Sequence, residues 1–110
     1  MKVVLINASP HARGCTNRAL EEISAECNRR GLSTEFLWLG TDPIAGCRGC
    51  GACRTLGKCV IEDKVNELAP KILKADGLVF ASPVHYAAPS GALSSFMDRL
   101  FFAHSALLAG

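Results

Sequence analysis

The chain has 110 residues, which is room for one domain. Hydrophobic residues make up 49% and charged residues 20%, which excludes a disordered or low-complexity chain, because such a chain buries too little apolar surface to fold. The net charge is only +2 and the charges are scattered, so we expect no nucleic-acid partner. The longest apolar runs are far shorter than the roughly 20 residues that cross a bilayer, so we expect no membrane partner. A strand pattern follows Met1 almost at once, so we expect no signal peptide and a cytoplasmic location.

Apolar runs and turn residues predict an alternation of three strands and three helices. The predicted elements in chain order are a strand at 2–7, a helix at 16–30, a strand at 33–39, a helix at 63–75, a strand at 77–81 and a helix at 92–108. On the first helix, Leu20, Ile23 and Cys27 form the expected apolar face. Pro70 lies within the second helix and predicts a kink or a break there.

The strands are apolar without alternation, which is typical of a parallel sheet buried on both faces. Together with the alternating order, this predicts a doubly wound α/β/α domain in three layers. Such sheets have five or six strands, and only three are present here. The third strand would therefore be an apolar edge, so we expect either a chain truncated after the third strand and its helix, or a second subunit over that edge. The final helix also carries a broad apolar surface, which favours a homo-oligomer.

The loop at 8–15 joins the first strand to the first helix at the carboxyl edge of the sheet. A helix start offers unpaired N–H groups and the positive end of a dipole. Ser9, Thr16 and Asn17 add hydroxyl and amide donors, and a loop of this kind suits the terminal phosphate of FMN. No Walker lysine and no GxGxxG motif is present. The alternative is that Thr16 or Asn17 only caps the helix.

The loop at 82–91 leaves the same edge of the sheet and is stiffened by two prolines and a glycine. His85 and Tyr86 offer flat side chains that can pack on a ring, and backbone N–H groups can reach the polar edge of that ring. The alternatives are an ordinary loop histidine and a tyrosine that plugs the core. His85 is the one candidate proton donor beside such a ring, and no catalytic residue is assigned.

Four of the six cysteines lie within thirteen residues, at Cys47, Cys50, Cys53 and Cys59. Two-residue gaps let a short winding backbone direct three sulfurs at one cube, as in bacterial ferredoxins, and the fourth sulfur follows a short loop. Structural zinc sites more often pair two CxxC knuckles across a longer separation, so the spacing favours a [4Fe–4S] cluster. Zinc, free thiols and a redox disulfide remain open. We expect Cys27 in the core of the first helix and Cys15 in the phosphate loop, both unrelated to this cluster.

The combined motifs resemble one family. They are NASP at 7–10, GCTN at 14–17, SPVHY at 82–86, SG at 90–91 and MDR at 97–99. In this order they look like the flavodoxin-like NAD(P)H-dependent FMN reductases, and with the four clustered cysteines they are similar to the iron–sulfur flavoprotein branch. The resemblance covers the whole chain but only the first part of the family fold. It identifies residues 1–110 as an incomplete flavodoxin-like FMN-binding domain and 47–59 as an inserted cysteine loop.

The resemblance also implies site residues. The FMN phosphate would be held by Ser9, Arg13, Thr16 and Asn17. The isoalloxazine ring would be contacted by Pro83, Val84, His85, Tyr86 and Gly91. The metal ligands would be the four clustered cysteines.

The leading functional hypothesis is an FMN-dependent redox flavoprotein. Without a cluster, NAD(P)H would reduce FMN, which would in turn reduce a quinone, a free flavin or another small acceptor. With a cluster, single electrons would pass between the flavin and a ferredoxin-like partner. The alternative is a truncated, non-enzymatic module in which the cysteine loop is structural, with zinc or free thiols.

Overall fold

The computed structural model describes residues 1–105. Three parallel strands form the main sheet, in the order β2-β1-β3, and helices lie along the chain between them. The strands and helices are β1 (Lys2–Asn7), α1 (Cys15–Arg29), β2 (Ser33–Trp38), α2 (Cys53–Leu56), α3 (Lys64–Leu73), β3 (Gly77–Ala81), β4 (Val84–His85), β5 (Ala88–Pro89) and α4 (Gly91–Ala103).

The sheet register confirms the parallel, doubly wound prediction. β1 is central: Leu5 pairs with Phe36 of β2 on one side and with Val79 of β3 on the other. β3 forms an edge within the described residues, and all five of its residues are partly exposed. The apolar edge predicted from the sequence is therefore present.

The larger core lies on the face of the sheet that packs against α3 and α4. It is built from strand residues and from the apolar sides of the two helices, and its fully buried members include Val4, Ile6, Val65, Phe96 and Leu100. The opposite face is covered by α1, which contacts all three strands of the main sheet. Helices on both faces give the three-layer arrangement.

The boundaries of α1, α3 and β2 differ slightly from the prediction, and the internal proline of α3 is tolerated. Asp63 lies outside α3 as its N-cap, because its carboxylate Oδ1 accepts the Val65 N–H at 3.1 Å. The helix continues through Pro70, whose exposed ring removes one backbone donor without ending the helix before Leu73.

Three details of the predicted helices are corrected. On α1, Leu20 is fully buried, but Ile23 is 38% exposed and Cys27 is only half-buried. Ser24 is buried against the sheet instead, and its hydroxyl forms a 2.7 Å hydrogen bond with the Thr34 hydroxyl of β2. The predicted final helix begins one residue earlier and ends at Ala103, and the predicted positions 106–108 lie outside the described residues.

The predicted apolar surface of α4 is largely covered by the chain's own core. Leu93, Phe96 and Leu100 are buried and Met97 packs against them, whereas Phe102 remains 45% exposed. Among the helices of residues 1–105, none has the length and apolarity to span a membrane.

Candidate functional site: two loops at the sheet edge and a cysteine loop

The phosphate loop (residues 8–14) and the hairpin loop (residues 82–90) meet at the carboxyl edge of the sheet. They follow β1 and β3, which are neighbours. The Ala8 N–H donates to the Ala81 carbonyl at 2.9 Å, and the Ser90 hydroxyl donates to the Ala8 carbonyl at 3.1 Å. One backbone hydrogen bond to the end of β3 and one serine hydroxyl therefore fix the two loops to one another.

The phosphate loop is folded by hydrogen bonds among its own residues, the last residue of β1 and the last residue of β2. Asn7 Oδ1 accepts the Ser9 N–H at 2.9 Å, and Ser9 Oγ accepts the His11 N–H at 3.1 Å. Asn7 Nδ2 donates to the Ala12 carbonyl at 3.3 Å. From β2, the Trp38 indole N–H donates to the Ser9 carbonyl at 2.8 Å. Ser9 is buried, so its hydroxyl shapes the loop and keeps one donor hydrogen for a ligand.

The start of α1 is not capped by a side chain within the described residues. Its N-cap is Gly14, and the first intrahelical bond runs from the Arg18 N–H to the Gly14 carbonyl at 3.0 Å. The N–H groups of Cys15, Thr16 and Asn17 in the first turn thus have no intrahelical partner. The alternative that Thr16 or Asn17 caps the helix is wrong, because both lie inside the first turn.

The remaining phosphate candidate, Arg13, is exposed just before this helix. Arg13 and Asn17 line an open groove together with Phe36 and Trp38 of β2. Arg13 thus lies just before α1, Thr16 and Asn17 lie in its first turn, and Ser9 is buried in the loop that leads to it. This arrangement gives an anion three backbone N–H groups, a hydroxyl and a nearby positive charge.

The hairpin loop contains a feature that the sequence did not predict. β4 and β5 pair antiparallel, with Val84 opposite Pro89 and His85 opposite Ala88. The turn between them holds Tyr86 at φ 51° and Ala87 at φ 61°. Two non-glycine residues with positive φ in a two-residue turn are costly and are typical of functional loops.

The turn presents Tyr86 outward with a fully exposed side chain, so the alternative of a core plug is wrong. His85 and Val84 are also exposed, while Pro83 is half-buried and Gly91 opens α4. The five predicted ring-contacting residues thus lie together on one small hairpin and the helix start behind it.

Ser82 and Ser90 hold this hairpin, and the sequence analysis missed their role. The Ser90 N–H donates to Ser82 Oγ at 2.7 Å, and that hydroxyl donates to the Pro83 carbonyl at 2.8 Å. Ser90 also caps α4 by accepting the Leu93 N–H at 3.2 Å. A serine directly before an apolar helix is an N-cap signal, so the capping role was readable from the sequence.

All four clustered cysteines line one cavity, together with Arg99 and Phe102 of α4. Cys47 and Cys50 are exposed, Cys53 and Cys59 are half-buried, and every cysteine of the chain is a free thiol. Within residues 1–105, no three histidine, cysteine or acidic side chains are grouped so that they could hold one metal ion. The four thiols therefore line one cavity without converging as the ligands of a single metal ion.

The cysteine cavity lies away from the two loops at the sheet edge. It packs on the last turn of α4, at Phe102 and Ala103, whereas the hairpin loop joins α4 at Ser90. Twelve residues of helix at 1.5 Å each separate Ser90 from Phe102, a distance of about 18 Å. The chain already lies beside α4 before Cys47 is reached, since the Ala45 carbonyl accepts from Arg99 Nη1 at 3.0 Å.

Arg99 is the buried charge of this region, with 1% of its surface exposed. Its guanidinium is paired with Asp63 by two hydrogen bonds, each 2.7 Å long. Partial burial alone would raise the pKa of Asp63, but the hydrogen bonds from Arg99 and the Val65 N–H outweigh it, so the pKa of Asp63 lies below its ordinary value. Asp63 in turn raises the pKa of Arg99. The sequence motif at 97–99 contributed to the family resemblance, but it predicted no role for Arg99.

Comparison with known proteins identifies the family to which the chain belongs. The family model described as NADPH-dependent FMN reductase matches residues 1–110, and the chain belongs to that family. Among curated relatives, an iron-sulfur flavoprotein of Methanocaldococcus jannaschii is 37% identical over 99 residues, covering 90% of this chain and 51% of the relative. An iron-sulfur flavoprotein of Archaeoglobus fulgidus is 32% identical over 111 residues, covering 100% of this chain and 50% of the relative.

Solved structures agree on the fold. An NAD(P)H:quinone oxidoreductase from Methanothermobacter marburgensis superposes with a TM-score of 0.69 at 19% identity, over 92% of this chain and 53% of that chain. A protein from Streptococcus mutans gives a TM-score of 0.68 at 20% identity, with the same coverage of 92% and 53%. The chain spans about half the length of the relatives and structures that it matches. These likenesses confirm the flavodoxin-like α/β prediction.

Proposed function

We propose that the chain is the flavin-binding portion of an FMN-dependent oxidoreductase. The observation that carries this is the uncapped start of α1, joined through the Ser90–Ala8 hydrogen bond to a strained, exposed hairpin. An anion at the helix start and a flat ring against the hairpin would be bound by one rigid edge of the sheet. Family membership supports FMN as the molecule with both parts. When bound, FMN supplies hydride and single-electron chemistry.

The residues of the chain bind and orient that group rather than react with it. Thr16 and Asn17 present their N–H groups and their side-chain hydroxyl and amide donors to the phosphate, with Ser9 and Arg13 beside them. Tyr86 and His85 on the hairpin flank the ring, and the partly buried Ser82–Ser90 contact keeps the hairpin at a fixed position. The reductant we propose is NAD(P)H, with a quinone, a flavin or another small molecule as acceptor, and the location we propose is the cytoplasm.

The four clustered cysteines support a second cofactor. Their thiols line one cavity, and Arg99 Nε donates to Cys59 Sγ at 3.3 Å, as a donor to a metal-bound sulfur would. In a [4Fe–4S] cube each thiolate binds a different iron atom, so the ligands need not converge on one point. We propose that Cys47, Cys50, Cys53 and Cys59 hold such a cluster, which would exchange single electrons with a ferredoxin-like partner. Two curated relatives named iron-sulfur flavoprotein support this proposal.

Flavin binding is tested by titrating FMN into the purified full chain and following its fluorescence. Thr16→Ala and Ser9→Ala should each weaken binding by about 1 kcal/mol or more, the scale of one hydrogen bond to a charged group. The exposed Thr41 and Ser94 provide matched controls as Thr41→Ala and Ser94→Ala, which should bind as the unsubstituted chain does. Unchanged affinity in both loop variants would contradict the phosphate assignment. A chain that binds no flavin would favour the non-enzymatic module.

Assembly is a separate proposal. The edge strand β3 is partly exposed along its whole length, and Phe102 and Leu56 are 45% and 53% exposed. We propose that the chain forms a homo-oligomer that covers some of this surface. Light scattering at micromolar concentration should give a mass of two or more chains, and a monodisperse monomer would contradict the proposal.

A further inference from the structure

The end of the cysteine loop (residues 47–59) is held by two helices. From α3, Asn66 Nδ2 donates to the Cys59 carbonyl at 2.8 Å and to the Ile61 carbonyl at 3.2 Å. From α4, Arg99 Nη2 donates to the same Ile61 carbonyl at 3.0 Å. The segment that carries the fourth cysteine is therefore anchored to the core through side chains distant in sequence.

The guanidinium of Arg99 makes as many hydrogen bonds as it has N–H donors. A guanidinium has five N–H donors in a fixed planar arrangement. Five contacts are made: Nε with Cys59 Sγ at 3.3 Å, Nη1 with the Ala45 carbonyl at 3.0 Å and Asp63 at 2.7 Å, and Nη2 with the Ile61 carbonyl at 3.0 Å and Asp63 at 2.7 Å. Two of the five would suffice to neutralise the charge against Asp63. The other three fix the chain on both sides of the cysteine loop.

Those three contacts close the loop. Ala45 lies two residues before Cys47, and Cys59 is the last of the four cysteines. One rigid group thus ties residue 45 to residue 59, with the other three cysteines in the loop between them. Closing a loop in advance removes much of the entropy that would otherwise be lost when its ligands gather around a bound group.

We propose that Arg99 is the positioning residue of the cysteine site: it closes the loop between Ala45 and Cys59 and holds Cys59 Sγ at a fixed point on the cavity wall. Lysine cannot replace it, because a single ammonium on a flexible stem cannot bond Ala45, Cys59 and Asp63 in one plane. The role in cluster binding rests on the proposed function, whereas loop closure is a property of the metal-free chain.

Loop closure is tested on the reduced, metal-free full chain with a thiol-specific disulfide reagent. Reaction rates are read at each cysteine by mass spectrometry. Arg99→Lys keeps a charge for Asp63, and it should speed the reaction of Cys59 about tenfold, the factor that corresponds to one lost hydrogen bond to a charged group. Hydrogen exchange over 45–61 should rise in parallel. The half-buried Cys27 on α1 should react at an unchanged rate.

The matched control is Arg54→Lys, since Arg54 is an exposed arginine within the same loop. It should leave both cysteine rates unchanged. An unchanged Cys59 rate in Arg99→Lys would overturn the proposal. Equal acceleration of Cys59 and Cys27 would also overturn it, because the arginine would then serve only general stability.

Asn66→Ala gives an independent variant, because it removes the second anchor without touching the charge pair. Accelerated reaction at Cys59 alone supports anchoring of this segment, and no change contradicts it.

Anaerobic reconstitution with iron and sulfide separates this proposal from the proposed cluster. In one outcome the unsubstituted chain takes up no iron, and Arg99→Lys still speeds the reaction of Cys59. The positioning role of Arg99 is then supported and the cluster proposal is contradicted. If the unsubstituted chain takes up iron and Arg99→Lys does so equally, with the same absorbance spectrum and the same thiol rates, the cluster stands and positioning is overturned.

Discussion

The phosphate loop and the cysteine loop are anchored to different parts of the fold. In the phosphate loop, Asn7, Ser9 and His11 bond one another, and Trp38 and Ser90 add hydrogen bonds to the carbonyls of Ser9 and Ala8 at the sheet edge. The cysteine loop has local bonds as well: backbone hydrogen bonds between residues 51 and 57 close α2, and the Gly49 N–H donates to Cys47 Sγ at 3.4 Å. Its ends are fixed by Arg99, which lies 40 residues beyond Cys59. The first loop is therefore held at several points of the sheet edge, whereas the ends of the second depend mainly on one side chain of α4.

The largest expected effect is the loss of iron from the cysteine loop. Replacing any one of Cys47, Cys50, Cys53 and Cys59 by alanine should reduce the iron bound after anaerobic reconstitution sharply, because cluster ligands act as a unit. Flavin should remain bound, since no residue of the phosphate loop or the hairpin loop lines the cysteine cavity. Iron, sulfide and FMN per chain are the quantities to measure.

Cys15→Ala and Cys27→Ala are the controls for that series and should retain iron, because neither lines the cysteine cavity. If the unsubstituted chain takes up no iron, the cluster proposal fails and direct reduction by NAD(P)H takes its place. Uptake of zinc by the same four ligands would make the loop structural.

The second effect is on the stability of the whole chain. Arg99→Met should lower the free energy of unfolding by about 3–5 kcal/mol, because Asp63 keeps its charge in a partly buried place without its partner. Urea denaturation followed by circular dichroism measures the change. Arg54→Met, at an exposed arginine, should change the same quantity by less than about 0.5 kcal/mol. Equal effects of the two substitutions would contradict the view that the cysteine loop is held from α4.

A smaller effect depends on pH. The pKa of Asp63 is lowered in the folded chain, so its ionised form stabilises the fold above the ordinary aspartate pKa of about 3.9, and this contribution is lost as the pH falls through the lowered value. Between pH 7 and pH 3 the unsubstituted chain should therefore lose more unfolding free energy than Asp63→Asn does. Parallel pH profiles of the two chains would show that the pair contributes no pH dependence.

The smallest effect concerns the link between the two loops at the sheet edge. Ser90→Ala removes the cap of α4 and the bond to the Ala8 carbonyl, and it should cost about 1 kcal/mol of unfolding free energy. Ser94→Ala, at an exposed position of the same helix, is the control. A loss in both variants would point to a general effect on α4 rather than to the cap.

Local sequence carried much of the fold. β1 and β3 have the predicted bounds, since a continuous apolar run between turn residues admits little else. The alternation of strands and helices predicted that the three strands run parallel to one another. The turn at Tyr86 and Ala87 was not predictable, because two-residue hairpin turns usually contain asparagine or glycine at the positions with positive φ. The exposure of Ile23 was missed for another reason: helical periodicity places it beside the buried face, and only the Ser24–Thr34 contact shows how α1 is turned against the sheet.

By itself, the sequence determined which groups are available: a helix start after β1 with nearby polar side chains, a stiff loop after β3 and four closely spaced thiols. These depend on neighbours within a few residues, where backbone geometry leaves few choices. Only the tertiary structure decided where the thiols lie and what holds them. That placement rests on Arg99 meeting Ala45, Cys59 and Asp63 across separations of 54, 40 and 36 residues. A buried guanidinium must satisfy all its donors, and nothing in the local pattern around residue 99 specifies which distant carbonyls and which sulfur will do so.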